Sequence, residues 1–261
     1  MRNPIRRMNR GVAGSMTPAF GVLAFGLLAA NMHAADASAW NCFRGPKQGV
    51  SPWTNAPAVW DGQSGKGVLW KTPLKMAGIG SPVVCGTNVY LLEADEQERA
   101  VLAFDAATGR RIWRQVVADG GKGADLPQVS GDTGLAAPTP VCDEKGVYAL
   151  FGTGDLAAFS PGGKLKWQVF LKRPENMYGH ASSLCIAAGR IYIQYDQAGS
   201  DSRVLAVDTA DGRTVWETPR AQGPSWSSPI IVPGANSKPL FVVNASGAVS
   251  AYDPATGKNV W

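Results

Sequence analysis

The chain has 261 residues, enough to bury a substantial core in one large domain or two small ones. Charged residues make up only 17%, while glycine (31), proline (18) and tryptophan (9) are abundant, a composition that suits short strands and turns and not long helices. The net charge of +5 falls to +1 without the four arginines of the first ten residues, and a near-neutral body gives no basis for a nucleic-acid partner or an anionic membrane surface.

The N-terminus reads as an export signal over residues 1–35. Arg2, Arg6, Arg7 and Arg10 precede the apolar run AFGVLAFGLLAA, and small residues follow at Ala34, Ala35 and Ala37. Twelve apolar residues are short of the roughly 20 that a spanning helix needs, so a single membrane anchor is the weaker alternative. No cysteine closes the run, so it holds no lipid-attachment site, and nothing further along would keep the mature chain in a membrane. The expected location is the periplasm or the exterior. Residues 36–67 read as a leader segment with no repeat character, and residues 68–261 carry everything that repeats.

Four stretches align. LAFDAATGRRIW spans residues 102–113, AAFSPGGKLKW 157–167, LAVDTADGRTVW 205–216 and SAYDPATGKNVW 250–261. In each, a glycine precedes the tryptophan by four positions: Gly109 and Trp113, Gly163 and Trp167, Gly212 and Trp216, Gly257 and Trp261. Asp105, Asp208 and Asp253 open three of the turns, and Ser160 opens the second, which is one residue shorter. Trp70 reads as a fifth member without the turn, on an early strand. From Trp70 onward the tryptophans are 43, 54, 49 and 45 residues apart. That spacing is close to the period of a four-stranded propeller blade.

Apolar runs before each turn supply the other strands. In the first copy they are residues 81–84, 88–94 and 100–105, with 110–117 as the fourth strand. The turn chemistry explains the conserved-looking types within the repeat. An aspartate accepts backbone N–H bonds two residues on, a glycine takes positive φ without strain, and a tryptophan fills the gap between neighbouring sheets while donating its N–H. These eleven turn and ring residues are therefore structural and not cofactor-stacking. The fold class expected is all-β, an open partial propeller of about four antiparallel blades.

Two further residues are candidates for contacts. His180 and Trp226 each precede the first strand of their blade, where side chains approach a propeller's channel. For His180 the plainer alternative is a hydrogen-bonded surface histidine, and for Trp226 it is packing at the blade entrance. The connector at residues 118–137 is long, polar and glycine-rich, either a mobile binding loop or a tolerated insertion. Four cysteines (42, 85, 142 and 185) in an exported chain permit disulfides, but three of them end or interrupt apolar runs and read as buried free thiols. Their spacing matches no metal site.

The repeat resembles the tryptophan-docking motif of the PQQ-like, or quinoprotein-like, β-propellers, roughly A-x-D-x-x-T-G-x-x-x-W. Ala103, Asp105, Thr108, Gly109 and Trp113 match it in register, as do Ala251, Asp253, Thr256, Gly257 and Trp261. The third copy has Asp211 in place of the threonine, and the second keeps only Ala158, Gly163 and Trp167. WNCFRGPKQGVSPW at residues 40–53, with GHASSL and SWSSPI, is similar to exported repeat proteins of the planctomycete type. The resemblance implies seven or eight blades in a closed ring, about 320 to 360 residues. A C-terminally truncated fragment with open, self-associating blade faces is then expected.

The same superfamily includes BamB-type envelope scaffolds and PQQ-dependent alcohol and sugar dehydrogenases, so fold alone does not choose between them. The dehydrogenase chemistry would need PQQ, a Ca²⁺ held by oxygen ligands, a catalytic aspartate and often adjacent cysteines. No such set transfers onto this sequence. A non-catalytic propeller binding an envelope protein or peptide, with no cofactor or metal, is the expectation; the alternative is a PQQ- and Ca²⁺-dependent alcohol or sugar dehydrogenase whose active-site part is missing or divergent.

Overall fold

A computed structural model describes residues 40–51, 53–122 and 125–261, so the export signal at residues 1–35 lies outside the described residues. The first blade comprises β1 (Val83–Cys85), β2 (Asn88–Ala94), β3 (Arg99–Asp105) and β4 (Arg111–Val116). The second comprises β5 (Val141–Asp143), β6 (Gly146–Leu150), β7 (Asp155–Phe159) and β8 (Leu165–Phe170). The third comprises β9 (Cys185–Ala187), β10 (Arg190–Tyr195), β11 (Arg203–Asp208) and β12 (Thr214–Pro219). The last comprises β13 (Ile230–Pro233), β14 (Pro239–Asn244) and β15 (Val249–Tyr252). Each sheet is an antiparallel meander in chain order, and the first strands β1, β5, β9 and β13 contact one another in succession. The sheets therefore stand as successive blades of an open propeller.

Three buried clusters fill the spaces between successive blades. Tyr90, Val101, Trp113, Val147 and Phe159 lie between the first two. Tyr148, Leu156, Trp167, Ile191 and Leu205 lie between the second and third, and Tyr192, Trp216 and Phe241 between the third and fourth. Strand alternation produces this arrangement, because successive side chains of one strand face the preceding and the following blade.

The docking motif works across blades. The indole N–H of Trp113 donates to the carbonyl of Pro161 at 2.8 Å, that of Trp167 to Thr209 at 3.0 Å, and that of Trp216 to Pro254 at 2.9 Å. Each acceptor lies in the turn of the next blade. The three rings lie against Gly163, Gly212 and Gly257, all at positive φ, so close that an added Cβ would come within 2.7 Å of ring carbon. The alanine of the motif sits directly across the sheet from the tryptophan, as Ala103 with Trp113, Ala158 with Trp167 and Ala206 with Trp216. A bulge follows each of these alanines and leads the strand into the turn. Asp105 Oδ1 accepts from the backbone N–H and the hydroxyl of Thr108, at 2.8 and 2.7 Å, and these bonds hold its carboxyl below the ordinary range.

Trp70 does the same for the first blade. Its N–H donates to Ala106 O at 2.9 Å and its ring covers Gly109. The segment around it forms no strand, however, so the expected early strand is replaced by an irregular run held by its ring and by Thr72, whose hydroxyl donates to Gly109 O at 2.6 Å. Trp261 departs in the other direction. Ala251 exchanges backbone bonds with residues 260 and 261, but residues 258–261 form no fourth strand, and Trp261 is 57% exposed. Its counterparts are each 9% exposed because a following glycine turn covers them; Trp261 meets no such turn among the described residues.

At the inner edge a second repeat appears. The backbone N–H of Ser81 donates to the hydroxyl of Thr139, that of Thr139 to Ser183, and that of Ser183 to Ser228, at 3.0 to 3.1 Å. Ser81, expected to open the first strand, lies just before β1 instead, as Thr139, Ser183 and Ser228 lie before β5, β9 and β13, and the three hydroxyls each accept one bond from the preceding blade. Beside it Cys85 and Cys142 form a disulfide with a Cα–Cα distance of 6.3 Å. The reading of these two as free thiols is thereby corrected. Burial at the ends of first strands does not exclude bonding when adjacent blades bring two such ends together.

Gly212→Ala is expected to destabilise the fold by about 2 kcal/mol, because the new methyl meets both an unfavourable φ and the Trp167 ring. Gly162→Ala, which meets nothing within 4 Å, should stay within about 0.5 kcal/mol of the parent in the same urea titration. The Cys85–Cys142 bond closes a separation of 57 residues, so a Cys85→Ser, Cys142→Ser double variant should lose about 4 kcal/mol in urea unfolding on the chain-entropy account.

Candidate functional site

A four-stranded meander puts its second hairpin and its connector to the next blade at one end. Its other two hairpins lie at the opposite end. The docking turns thus share an end with the β1–β2 type hairpins. The long connectors at residues 117–140, 171–184 and 220–229 share the other end with the hairpins at residues 95–98, 151–154 and 196–202. His180 and Trp226 both lie at this connector end.

The structure brings those two residues into one neighbourhood but gives them different roles. His180 is buried, at 4% exposure, which corrects the alternative of a surface histidine. Its ring stacks on Tyr195, with centroids 5.0 Å apart and planes 12° from parallel. The Arg203 guanidinium lies 4.6 Å from the Tyr195 centroid. Since the carbonyl of Ser182 lies 2.9 Å from Nε2 and only accepts, Nε2 carries the imidazole proton. Burial, which outweighs that hydrogen bond, pushes the His180 pKa down to about 4, and the nearby positive charge of Arg203 adds to the shift. His180 is a neutral packing residue beneath the surface.

Trp226 is the exposed member, at 40%. Its N–H donates to Asn176 Oδ1 at 3.1 Å, and the same oxygen accepts the backbone N–H of Tyr178 at 3.2 Å. The Trp226 and Tyr178 rings meet edge to face, 5.1 Å apart at 70°. Met177 beside them is 63% exposed. One asparagine oxygen therefore fixes two aromatic rings from two different connectors into a single amphipathic patch. The link to His180 runs through Ser182, whose hydroxyl donates to Ser225 O at 3.3 Å.

Under the patch lies a polar bed that the sequence reading missed. Gln194, fully buried, donates to Asp196 Oδ2 and to Asn244 O, both at 2.7 Å. Ser225 also donates to Asn244 O, at 2.9 Å. Arg220 pairs with Asp196 at 3.2 Å, both side chains nearly inaccessible, and burial raises the Asp196 carboxyl above its ordinary range against the pull of Gln194 and Arg220. A similar knot joins the first two blades. Arg99 approaches Asp155 at 3.3 Å, Arg173 approaches Asp119 at 2.6 Å, and Thr153 donates to Asp155 at 2.6 Å. Gly120 and Gly121 pack so tightly against Phe170 and Arg173 that no Cβ fits, so the start of the 118–137 connector is anchored to this knot. The only sequence signal was polar residues at the ends of apolar strands, a pattern shared with ordinary loops.

The chemistry available at this end is limited. The His180 donor is committed to a carbonyl, the Tyr195 hydroxyl donates to Lys172 O at 2.5 Å, and the buried carboxylates face guanidinium groups. In the 195–202 loop, Ser202 and Gln197 oxygens are bonded within the loop and to Glu175. Among the described residues no group of three or more histidine, cysteine, aspartate or glutamate side chains is placed to hold a metal ion. No helix among them is long and apolar enough to cross a membrane.

Neutral His180 makes stability pH-dependent in a defined direction. Below about pH 6.5 the unfolded chain takes up a proton that the folded chain refuses until about pH 4. The contribution is complete above 6.5 and is lost as pH falls toward 4. Urea unfolding at pH 5 should therefore show about 2 kcal/mol less stability from this group than at pH 7.5. His180→Gln should remove that part of the slope.

The model of a family described as outer membrane protein assembly factor BamB matches residues 54–199 and 200–261. The outer membrane protein assembly factor BamB of Alkalilimnicola ehrlichii is 27% identical over 185 residues, 70% of this chain and 43% of that protein. BamB from Moraxella catarrhalis superposes with a TM-score of 0.52 at 14% identity, over 75% of this chain and 55% of that one. A europium-containing methanol dehydrogenase superposes with a TM-score of 0.53 at 15% identity, over 71% of this chain and 41% of that one. The chain spans about half the length of the relatives it matches, and likenesses at such identities speak to the fold alone. With the family model matching it from residue 54 to residue 261, and with tryptophan docking between its blades, the chain belongs to the BamB family of PQQ-like β-propellers.

Proposed function

We propose that this chain is a non-catalytic, exported propeller that docks an envelope protein or peptide on its connector end. The observation that carries the reading is the patch of Trp226, Tyr178 and Met177, whose two rings are bridged by Asn176, over a bed of buried polar groups. Amphipathic rings fixed before binding lose little entropy on contact, the property of interface anchors. Family membership supports the same reading, because relatives are described as outer membrane protein assembly factors. On this reading the chain performs no chemistry and needs neither a quinone nor a calcium ion. The envelope location rests on the export signal and on the relatives' description.

The test is site-specific photo-crosslinking in cells. A photoreactive phenylalanine analogue at position 226 should give a discrete adduct with one envelope protein. The same analogue in place of Lys145, exposed at the docking-turn end, should give none. Binding of the captured protein should fall roughly thirtyfold in Trp226→Ala, the loss of a hot-spot aromatic worth about 2 kcal/mol. Equal labelling from both ends, or none from position 226, would overturn the proposal.

A further inference from the structure

Cys85 and Cys142 are bonded, which leaves Cys42 and Cys185 as thiols. Their surroundings are defined by a short strap at the inner edge of the blades. Trp40 exchanges two backbone hydrogen bonds of 2.9 Å with Val84 on β1. One residue on, the carbonyl of Asn41 accepts from the N–H of Cys142 on β5, at 3.0 Å. The strap thus moves one blade per residue along the ring of first strands. The next residue is Cys42, and the next first strand is β9, which begins with Cys185.

The packing agrees with that progression. Cys42 packs against the cluster between the second and third blades, which contains Leu184 and against which Ile186 also packs. These are the chain neighbours of Cys185 on either side. The strap turns back at this point. Gly45 N donates to Cys42 O at 2.9 Å, and Gly45, at positive φ, lies against the Trp40 ring where no Cβ fits. Cys42 therefore opens a tight turn whose closure holds it against the cluster of the second and third blades. We propose that Cys42 and Cys185 form a second disulfide that pins the strap to β9, as Cys85–Cys142 pins β1 to β5.

The chemistry balances as thiol–disulfide exchange. Two thiols lose two protons and two electrons and gain one S–S bond, while a disulfide-bearing oxidant, a protein disulfide in an oxidising compartment or oxidised glutathione in vitro, is reduced to two thiols. Burial raises the Cys42 thiol to about 11 and the Cys185 thiol well above its ordinary value, and Cys42 adds to the shift at Cys185. Protonated, buried thiols exchange slowly, so the bond forms while the chain folds and not after the blades have closed over it.

The experiment uses the full chain refolded in a glutathione redox buffer in which Cys85–Cys142 is closed, so that bond reports that oxidation took place. Free thiols are then alkylated under denaturing conditions and the protein is digested without reduction. The expected result is a cross-linked peptide pair holding Cys42 and Cys185, with neither alkylated. Alkylation of both, or pairing of either with Cys85 or Cys142, would overturn the proposal. As an independent readout, Cys42→Ser and Cys185→Ser should each lower the thermal midpoint by about 10 °C, and the double variant by no more than either alone. Additive shifts from the two single variants would count against the bond.

Discussion

The structure depends on one contact, the indole ring of each blade set over the glycine turn of the next. The contact has two parts that must coincide. The ring needs a flat, open floor, which only a residue without a Cβ supplies, and its N–H needs an acceptor, which the turn carbonyl beside that glycine supplies. The aspartate that opens the turn and the alanine opposite the ring serve the same contact. The first holds the turn's shape, and the second leaves room across the strand. Because the contact always joins one blade to the following one, it gives the chain its direction and spaces the sheets for the clusters that fill between them.

The docking end being fixed in this way, the connector end is free to vary. Its connectors differ in length and composition, and burying them required polar groups to follow the chain inward. Arg99, Arg173, Asp119 and Asp155 answer that requirement between the first two blades, and Arg220, Asp196 and Gln194 answer it between the third and fourth. A buried ion pair contributes little net stability, but loss of one partner leaves an uncompensated charge, so such knots enforce one arrangement of the loops above them. Trp226 and Tyr178 stand on that enforced arrangement. Buried His180 and exposed Trp226 lie at that same end, linked through Ser182 and Ser225, the first as packing and the second as part of the aromatic patch.

The inner edge adds a third layer of connection, made of small groups. The hydroxyl belt from Ser81 to Ser228, the disulfide between β1 and β5, and the strap at Trp40 and Asn41 all join first strands. First strands are short, three or four residues each, and each pairs within its sheet with the second strand alone. Bonds that cross from blade to blade at this edge compensate for the few ladder bonds each strand makes within its own sheet.

Local chemistry was enough to read the repeat from sequence. Gly212 four residues before Trp216, with Asp208 opening the turn, is a pattern that marks the hairpin of the third and fourth strands, and the apolar runs before it marked the other two strands of the first blade. The identity of the ring's partner was not local. Trp113 and Pro161 are 48 residues apart, and no pattern within one blade states that the ring belongs to the next turn. The same holds for Cys85 and Cys142, which look like buried free thiols until adjacent blades place their first strands side by side. It holds for His180 too, whose burial depends on Tyr195 and Arg203 from another hairpin. Sequence by itself determined the unit, its period and its family, because those follow from backbone conformation and the size of a ring. Tertiary structure alone decided which cysteines pair, which polar groups are buried and which aromatic faces solvent, because each depends on how one blade meets the next.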